Sequence, residues 1–324
     1  MAASSLVSLL VEAAILIILC IGFTLTYMVE KFPNFGHTAI ATIGTLLTYA
    51  LVKIWGYDPY STWLISAASC GFLTLVLYFL IVRPIKAHGT NIITLTFVFF
   101  AIAEVVGSIV SIFSYWFLYS QHYPQNGFWL ASYDFTWGGY PGIFIVTLPL
   151  CMVIVVALYI FLSRVKFGIA LRAVAENEQL AAIFGVDTQT IHMFSWFLTG
   201  SLAGLAGAII PLWQYTGMGY SDTFLIAVMA GCLVGGLQSV MGAVLGGLIL
   251  AIGQSWIIQL MIRIFGIGAT NWESIIPSLF IVAILIVEPE GIMGFFERSH
   301  TPIRTLRIYL SSLKGIISRV INAS

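Results

Sequence analysis

Hydrophobic residues in this chain neither alternate with polar ones nor fall into a narrow stripe. They come in long runs, at about 7–29, 36–55, 61–82, 91–117, 142–163, 193–213, 222–257 and 274–289. A membrane-crossing helix needs about 17–25 mostly apolar residues, so the runs predict transmembrane helices. The run at 222–257 is too long for one crossing. It is interrupted by Gly235-Gly236-Leu237-Gln238-Ser239, and such a glycine-rich polar break predicts a turn. The expected fold is all-α: a polytopic transmembrane helix bundle of about 8–9 spans. Nine follow if the long run crosses twice and eight if it crosses once; a re-entrant pair is the alternative to the split.

Composition agrees. Of 324 residues, 60% are hydrophobic and 8% are charged, against about 25% charged in soluble domains. A water-soluble surface cannot be built from so few charges, which excludes a soluble enzyme, a disordered chain and a nucleic-acid-binding protein. The formal net charge is zero, yet the basic residues are segregated. With nine spans, Lys31, Arg83, Lys86, Arg164, Lys166, Arg172, Arg298, Arg304, Arg307, Lys314 and Arg319 fall on one side, eleven of the thirteen; only Lys53 and Arg263 fall on the other. The positive-inside rule then places the N-terminus outside and the tail in the cytoplasm. No Lys or Arg precedes the first run, so it reads as a retained span and not a cleaved signal.

Chemistry-bearing motifs are scarce. There is no GxxxxGK[ST] phosphate loop, no HExxH and no GxSxG, so any ATP that drives this chain must come from another subunit. Neither the five histidines nor the four cysteines, each inside an apolar run, show metal-ligand spacing. No cofactor, metal or catalytic residue is expected, and the chain does not read as an enzyme. The segment 118–141 is rich in Trp and Tyr, as membrane–water interfaces are.

Polar groups at membrane depth are more informative. Glu104 lies inside an apolar span and must pair, protonate or face a cavity. Asn34-Phe35-Gly36-His37 follows Pro33 between the first two runs; it is either a plain turn or a broken-helix element able to hold a ligand. Gln214–Asp222 is a second such break, in which Asp222 could cap the next helix. Gly200/Gly204, Gly231/Gly235 and Gly242/Gly246 are each four apart, and such faces let helix backbones approach closely.

The inner loop 164–192 predicts a short helix over about 170–184, ended by Gly185, with Asp187 or Thr188 capping the following span. An exposed helix of mixed character between two spans is a docking element or a connector. After residue 297, Ile303, Leu306, Leu310, Leu313, Ile317 and Val320 share a face next to basic residues. This predicts a basic amphipathic tail lying on the anionic leaflet. The expected division is therefore a transmembrane domain over 1–297 and a cytoplasmic tail over 298–324.

Five segments, in order, resemble the permease subunits of branched-chain amino acid ABC importers. They are GFTLTYMVEKFPNFGHTAIATIG (22–44), RPIKAHGTNIITLT (83–96), FGIALRAVAENEQLAAIFGVDTQTI (167–191), LVGGLQSVMGAVLGGLIL (233–250) and VEPEGIMG (287–294). The sequence departs from the family pattern at Thr38, Gln238 and Glu288. The resemblance implies a cell-membrane assembly of two permeases, identical or not, with two cytoplasmic ATP-binding subunits and an extracytoplasmic substrate-binding protein. It makes the inner-loop helix a coupling helix for the ATPase, carried by Arg172, Ala173, Ala175, Glu176, Asn177, Ala181 and Gly185. The pathway residues expected are Asn34, Phe35, Gly36, His37 and Glu104. The competing reading is a secondary transporter or channel in which Glu104 and His37 are ion sites.

Overall fold

The computed structural model describes residues 2–89, 92–121, 127–217 and 220–299. Of the predicted amphipathic tail over 298–324, residues 300–324 lie outside the described residues. The chain opens with α1 (Ala2–Glu30), α2 (His37–Trp55) and α3 (Pro59–Leu77). α3 continues through a π turn at Tyr78–Val82 into α4 (Arg83–Ala87). Then come α5 (Ile92–Gln121), α6 (Gly142–Arg164), α7 (Lys166–Glu176), α8 (Glu178–Ile183) and α9 (Thr188–Trp213). α10 (Tyr220–Gly235), α11 (Val240–Phe265), α12 (Ile275–Val287) and α13 (Gly291–Ser299) complete the described chain.

Boundaries follow local chemistry. Asp58 caps α3, accepting from Ser61 N at 3.2 Å, and Pro59 fills the first helical position. The long apolar run breaks as expected. Gly236 sits at φ +108°, a conformation that suits glycine, and Ser239 caps α11 by accepting from Gly242 N at 3.1 Å. Asp222, a proposed cap, falls inside the first turn of α10 and not before it.

The bundle has two ends. At one, the Lys86 ammonium pairs with Glu30 at the end of α1, and Tyr27 lines a cleft with the 236–239 turn and Glu290. At the other, β1 (Gly127–Phe128) pairs antiparallel with β4 (Thr216–Gly217). There too Leu130 N donates to Pro211 O at 2.7 Å, and Tyr60 hydrogen-bonds Asp134. Also at this end β2 (Thr136–Trp137) pairs with β3 (Tyr140–Pro141). Following the helices between these ends gives nine passes. Among the described residues, eight helical segments are long and apolar enough to cross a membrane, and α10 supplies the ninth pass as a shorter apolar helix. Its 16 residues span about 24 Å, short of a bilayer core of about 30 Å. The first end gathers Lys31, Arg83, Lys86, Arg164, Lys166 and Arg172, and is called the basic end below.

α1, α2 and α9 bury most of the residues of their spans, whereas α5, α6 and α12 bury few of theirs. The glycine pairs explain the tight centre. A Cβ on Gly204 would stand 2.6 Å from Ser66 O, and one on Gly200 2.6 Å from Cys70 O, so α9 lies directly on α3. Gly235 faces the Gly242 carbonyl, and Gly246 that of Gly231, which closes the α10–α11 hairpin. All six glycines pack helices within the protomer, as small-residue faces do where water provides no driving force between helices.

Candidate functional site

The inner loop forms two helices where the sequence predicts one. Its Ala, Leu, Glu and Gln favour a continuous helix, but Asn177 is extended (φ −152°, ψ 103°) and its side chain caps α8, accepting from Leu180 N at 2.9 Å. Local bonding by Asn competes with helix propagation. α7 lies against the bundle. A Cβ on Gly168 would sit 2.1 Å from Phe161 O, and Leu171, Val174 and Ala175 are buried in the core. Ala175 and Ala181, two of the expected docking residues, therefore face the protein's own helices. Periodicity marks an apolar face without saying what covers it. Arg172, Ala173, Glu176, Asn177 and Gly185 are exposed, as docking requires.

α8 projects from the basic end with an apolar tip: Leu180, Ile183 and Phe184 are all exposed, Ile183 at 79% and Phe184 at 80%. Gly185 ends it at φ +84°, with Gly185 N on Ala182 O (2.9 Å) and Val186 N on Ala181 O (3.1 Å). Asp187 caps α9 through Thr190 N and Oγ1, at 3.3 and 2.5 Å. These bonds hold the Asp187 carboxyl below the usual carboxylate range. No neighbour crowds Gly185, so only its backbone conformation restricts substitution. Gly185→Val is expected to cost roughly 1–2 kcal/mol locally, whereas Gly185→Asn, an αL-tolerant residue, should be near neutral. Hydrogen exchange of α8 amides is the measurement; equal protection in both variants would refute the left-handed cap.

Behind α8 is a buried cluster of charge. Glu30, its side chain fully buried, takes the Lys86 ammonium on Oε2 and the His192 Nδ1 on Oε1 at 2.7 Å. The Trp196 indole also donates to Oε1, at 2.8 Å. His192 Nε2 meets Glu178 Oε1, on the first residue of α8, at 2.9 Å. Carboxylates only accept, so with a carboxylate at each ring nitrogen the imidazole donates from both. Two carboxylates thus face one ammonium and one imidazolium, and the cluster is neutral. Tyr78 stacks on the His192 ring at 6.3 Å. The cluster joins α1, α4, α8 and α9 at one point.

The expected pathway residues divide. His37 is buried, its Nε2 3.1 Å from Leu19 O, and it fills the space left by Gly22. It joins α2 to α1. Asn34 is buried, and its carbonyl accepts from His37 N at 3.1 Å. Phe35 packs against Phe100 of α5, and Gly36 leaves room for Phe99. Glu104, one turn beyond Phe100, stands on the exposed face of α5 with Val105, Ile109 and Ile112. A carboxylate there requires a cover of protein or water. The break therefore packs on α5 one turn from Glu104, while His37 packs on α1.

Residues 5–285 match the family described as branched-chain amino acid transport system / permease component. The chain belongs to this family. It is 31% identical over 285 residues to the probable branched-chain amino acid transport permease protein LivH of Methanocaldococcus jannaschii, covering 88% of this chain and 90% of that protein. It is 24% identical over 304 residues to the Escherichia coli high-affinity branched-chain amino acid transport system permease protein LivH, covering 86% and 90%. The fold is also that of a solved chain of PsaBC from Streptococcus pneumoniae in complex with Fab, with a TM-score of 0.51 at 14% identity over 90% of this chain and 97% of that one.

The permease is accordingly a multi-pass protein of the cell membrane. Sequence reading missed Glu30, His192, Ile183 and Phe184. One signal was available: His192 and Trp196 are four apart, hence on one helix face, and both are rare polar-tipped rings at the start of an apolar span.

Proposed function

We propose that this permease forms the translocation pathway of an ATP-driven importer for branched-chain or related small amino acids. Two cytoplasmic ATP-binding subunits, an extracytoplasmic binding protein and a second permease, identical or different, complete the assembly. The basic end is cytoplasmic under the positive-inside rule. One observation carries the coupling role: the exposed Leu180, Ile183 and Phe184 tip of α8, braced from behind by Glu178 on His192. An apolar tip on a braced helix can both bind a groove on the ATPase and transmit its motion. The exposed faces of α5 and α12 are the surfaces for the second permease, and Glu104 on α5 then lies where the two subunits enclose water. The family match and the relatives' names support the substrate class.

The test replaces the tip with charge. Ile183→Asp with Phe184→Asp is expected to leave the permease in the membrane and to weaken ATPase association by about 30-fold for each anchor, since central apolar anchors each contribute about 2 kcal/mol. Co-purification of the ATPase and its hydrolysis rate with loaded binding protein are the readouts. Retention of both would defeat the docking role.

A further inference from the structure

At the basic end, the first residue of α8 is tied to α9 through one ring. Glu178 Oε1 meets His192 Nε2 at 2.9 Å, and the other ring nitrogen, Nδ1, meets Glu30 Oε1 at 2.7 Å. The two carboxylates differ in their surroundings. The Glu30 side chain is wholly buried, whereas that of Glu178 is half exposed. The groups facing the ring are Glu30 from α1, Tyr78 from the π turn after α3 and Glu178 from α8; Lys86 from α4 acts through Glu30. The Trp196 indole, on the same face of α9, also donates to Glu30. Arg83 and Asp187 are charged neighbours of Tyr78.

With both ring protons present, each nitrogen donates to a carboxylate. A neutral imidazole keeps one N–H, and its other nitrogen becomes an acceptor. A carboxylate opposite that nitrogen then has acceptor facing acceptor. Burial decides which bond is given up. Leaving the proton on Nε2 would strip Glu30 of a donor in a dry site, where an unmade bond costs most. Leaving it on Nδ1 keeps Glu30 bonded to the ring, to Lys86 and to Trp196, and the buried Glu30 and Lys86 charges balance each other. The surplus negative charge then falls on Glu178, which is half exposed and can turn to water. The bond lost is the one that holds α8.

We infer that His192 is a proton-operated latch for α8: loss of one ring proton as the cytoplasmic pH rises releases Glu178 and leaves the Glu30 side of the cluster closed. The donors fix the direction. The latch is shut on the acid side of the imidazole titration and opens as the pH rises through it. It also weakens near the carboxylate range, about pH 4.3, where Glu178 gains a proton. α8 carries the exposed Leu180, Ile183 and Phe184 tip. The consequence for transport, that an alkaline cytoplasm loosens the coupling helix, rests on the importer reading; the latch itself does not.

Hydrogen exchange of the α8 amides in the full-length permease, held in nanodiscs without any ATPase, tests the latch. Exchange is followed from about pH 6 to about pH 9, above the carboxylate range and below that of Tyr and Lys. Each rate is divided by the intrinsic exchange rate at that pH. Wild-type protection is expected to fall about fivefold across the range, the size expected of a half-exposed charged bond. Glu178→Gln is the control, and its exposed position keeps the fold intact. Its amide donates to a bare ring nitrogen and accepts from a protonated one, so its protection should stay level, below that of wild type at pH 6. The inference is overturned if wild-type protection stays level, or if Glu178→Gln falls as wild type does. Neither outcome bears on whether α8 docks an ATPase, which co-purification measures separately.

Discussion

Glu30→Ala should destabilise the permease by about 3–5 kcal/mol. The carboxylate is fully buried and its removal leaves the His192 imidazolium and the Lys86 ammonium facing an empty space. Breaking a buried ion pair from one side costs about that much, because the remaining charge keeps its desolvation penalty. The Trp196 indole loses its acceptor as well. Glu178→Gln should behave differently. That carboxylate is half exposed, so its pairing contributes at most about 1 kcal/mol to stability. Its expected effect is on coupling: the brace of α8 weakens from a charge-assisted to a neutral hydrogen bond, uptake falls and the melting temperature changes little. A double-mutant cycle between Glu30 and His192 separates the shared network from two independent losses. If Glu30→Ala melts no lower than Glu178→Gln, the cluster does not hold these four helices together.

How legible this was depends on the range over which each feature is encoded. The spans, the Gly236–Ser239 turn, the Gly185 stop and the Asp187 cap are set within a few residues, and all could be read. The Asn177 break was equally local. It was missed because helix-forming neighbours outweighed one residue whose side chain prefers to cap. The Glu30–His192 bond joins residues 162 apart, and no local pattern announces it. Glu30 carries no local signal of its own, and His192 is one of five histidines without metal-ligand spacing. Orientation was the other gap. Ala175 sits on an apolar face and His37 beside a glycine break, but whether such a face meets its own bundle, a partner or the pathway is decided by tertiary packing. The glycine spacing announced close contacts without naming the partner helix. Gly207, which makes the tightest approach, and Gly44, which faces the Gly204 backbone, fell outside the pairs singled out.

Gly207 marks the place where the bundle tolerates least. A Cβ there would lie 1.8 Å from the Ala41 carbonyl oxygen, backbone that cannot move aside as a side chain can. The same turn is pinned by Thr45 Oγ1, which donates to Gly207 O at 2.7 Å. One turn away Gly44 faces the Gly204 backbone, with a would-be Cβ at 2.4 Å from its oxygen. On its other side α9 rests on α3 through Gly200 and Gly204, so it cannot shift to make room. Gly207→Ala must push α2 and α9 apart, losing the Thr45 bond and the packing around it, at an expected cost of about 3 kcal/mol or more. Gly107 on α5 is the control, because a Cβ there meets nothing within 4 Å. Gly107→Ala removes a helix-weakening residue and should be neutral or stabilising by up to about 1 kcal/mol. Thermal melting of the two purified variants decides the matter: Gly207→Ala should melt many degrees below Gly107→Ala, and coincident curves would mean that α9 is not clamped between α2 and α3 as described.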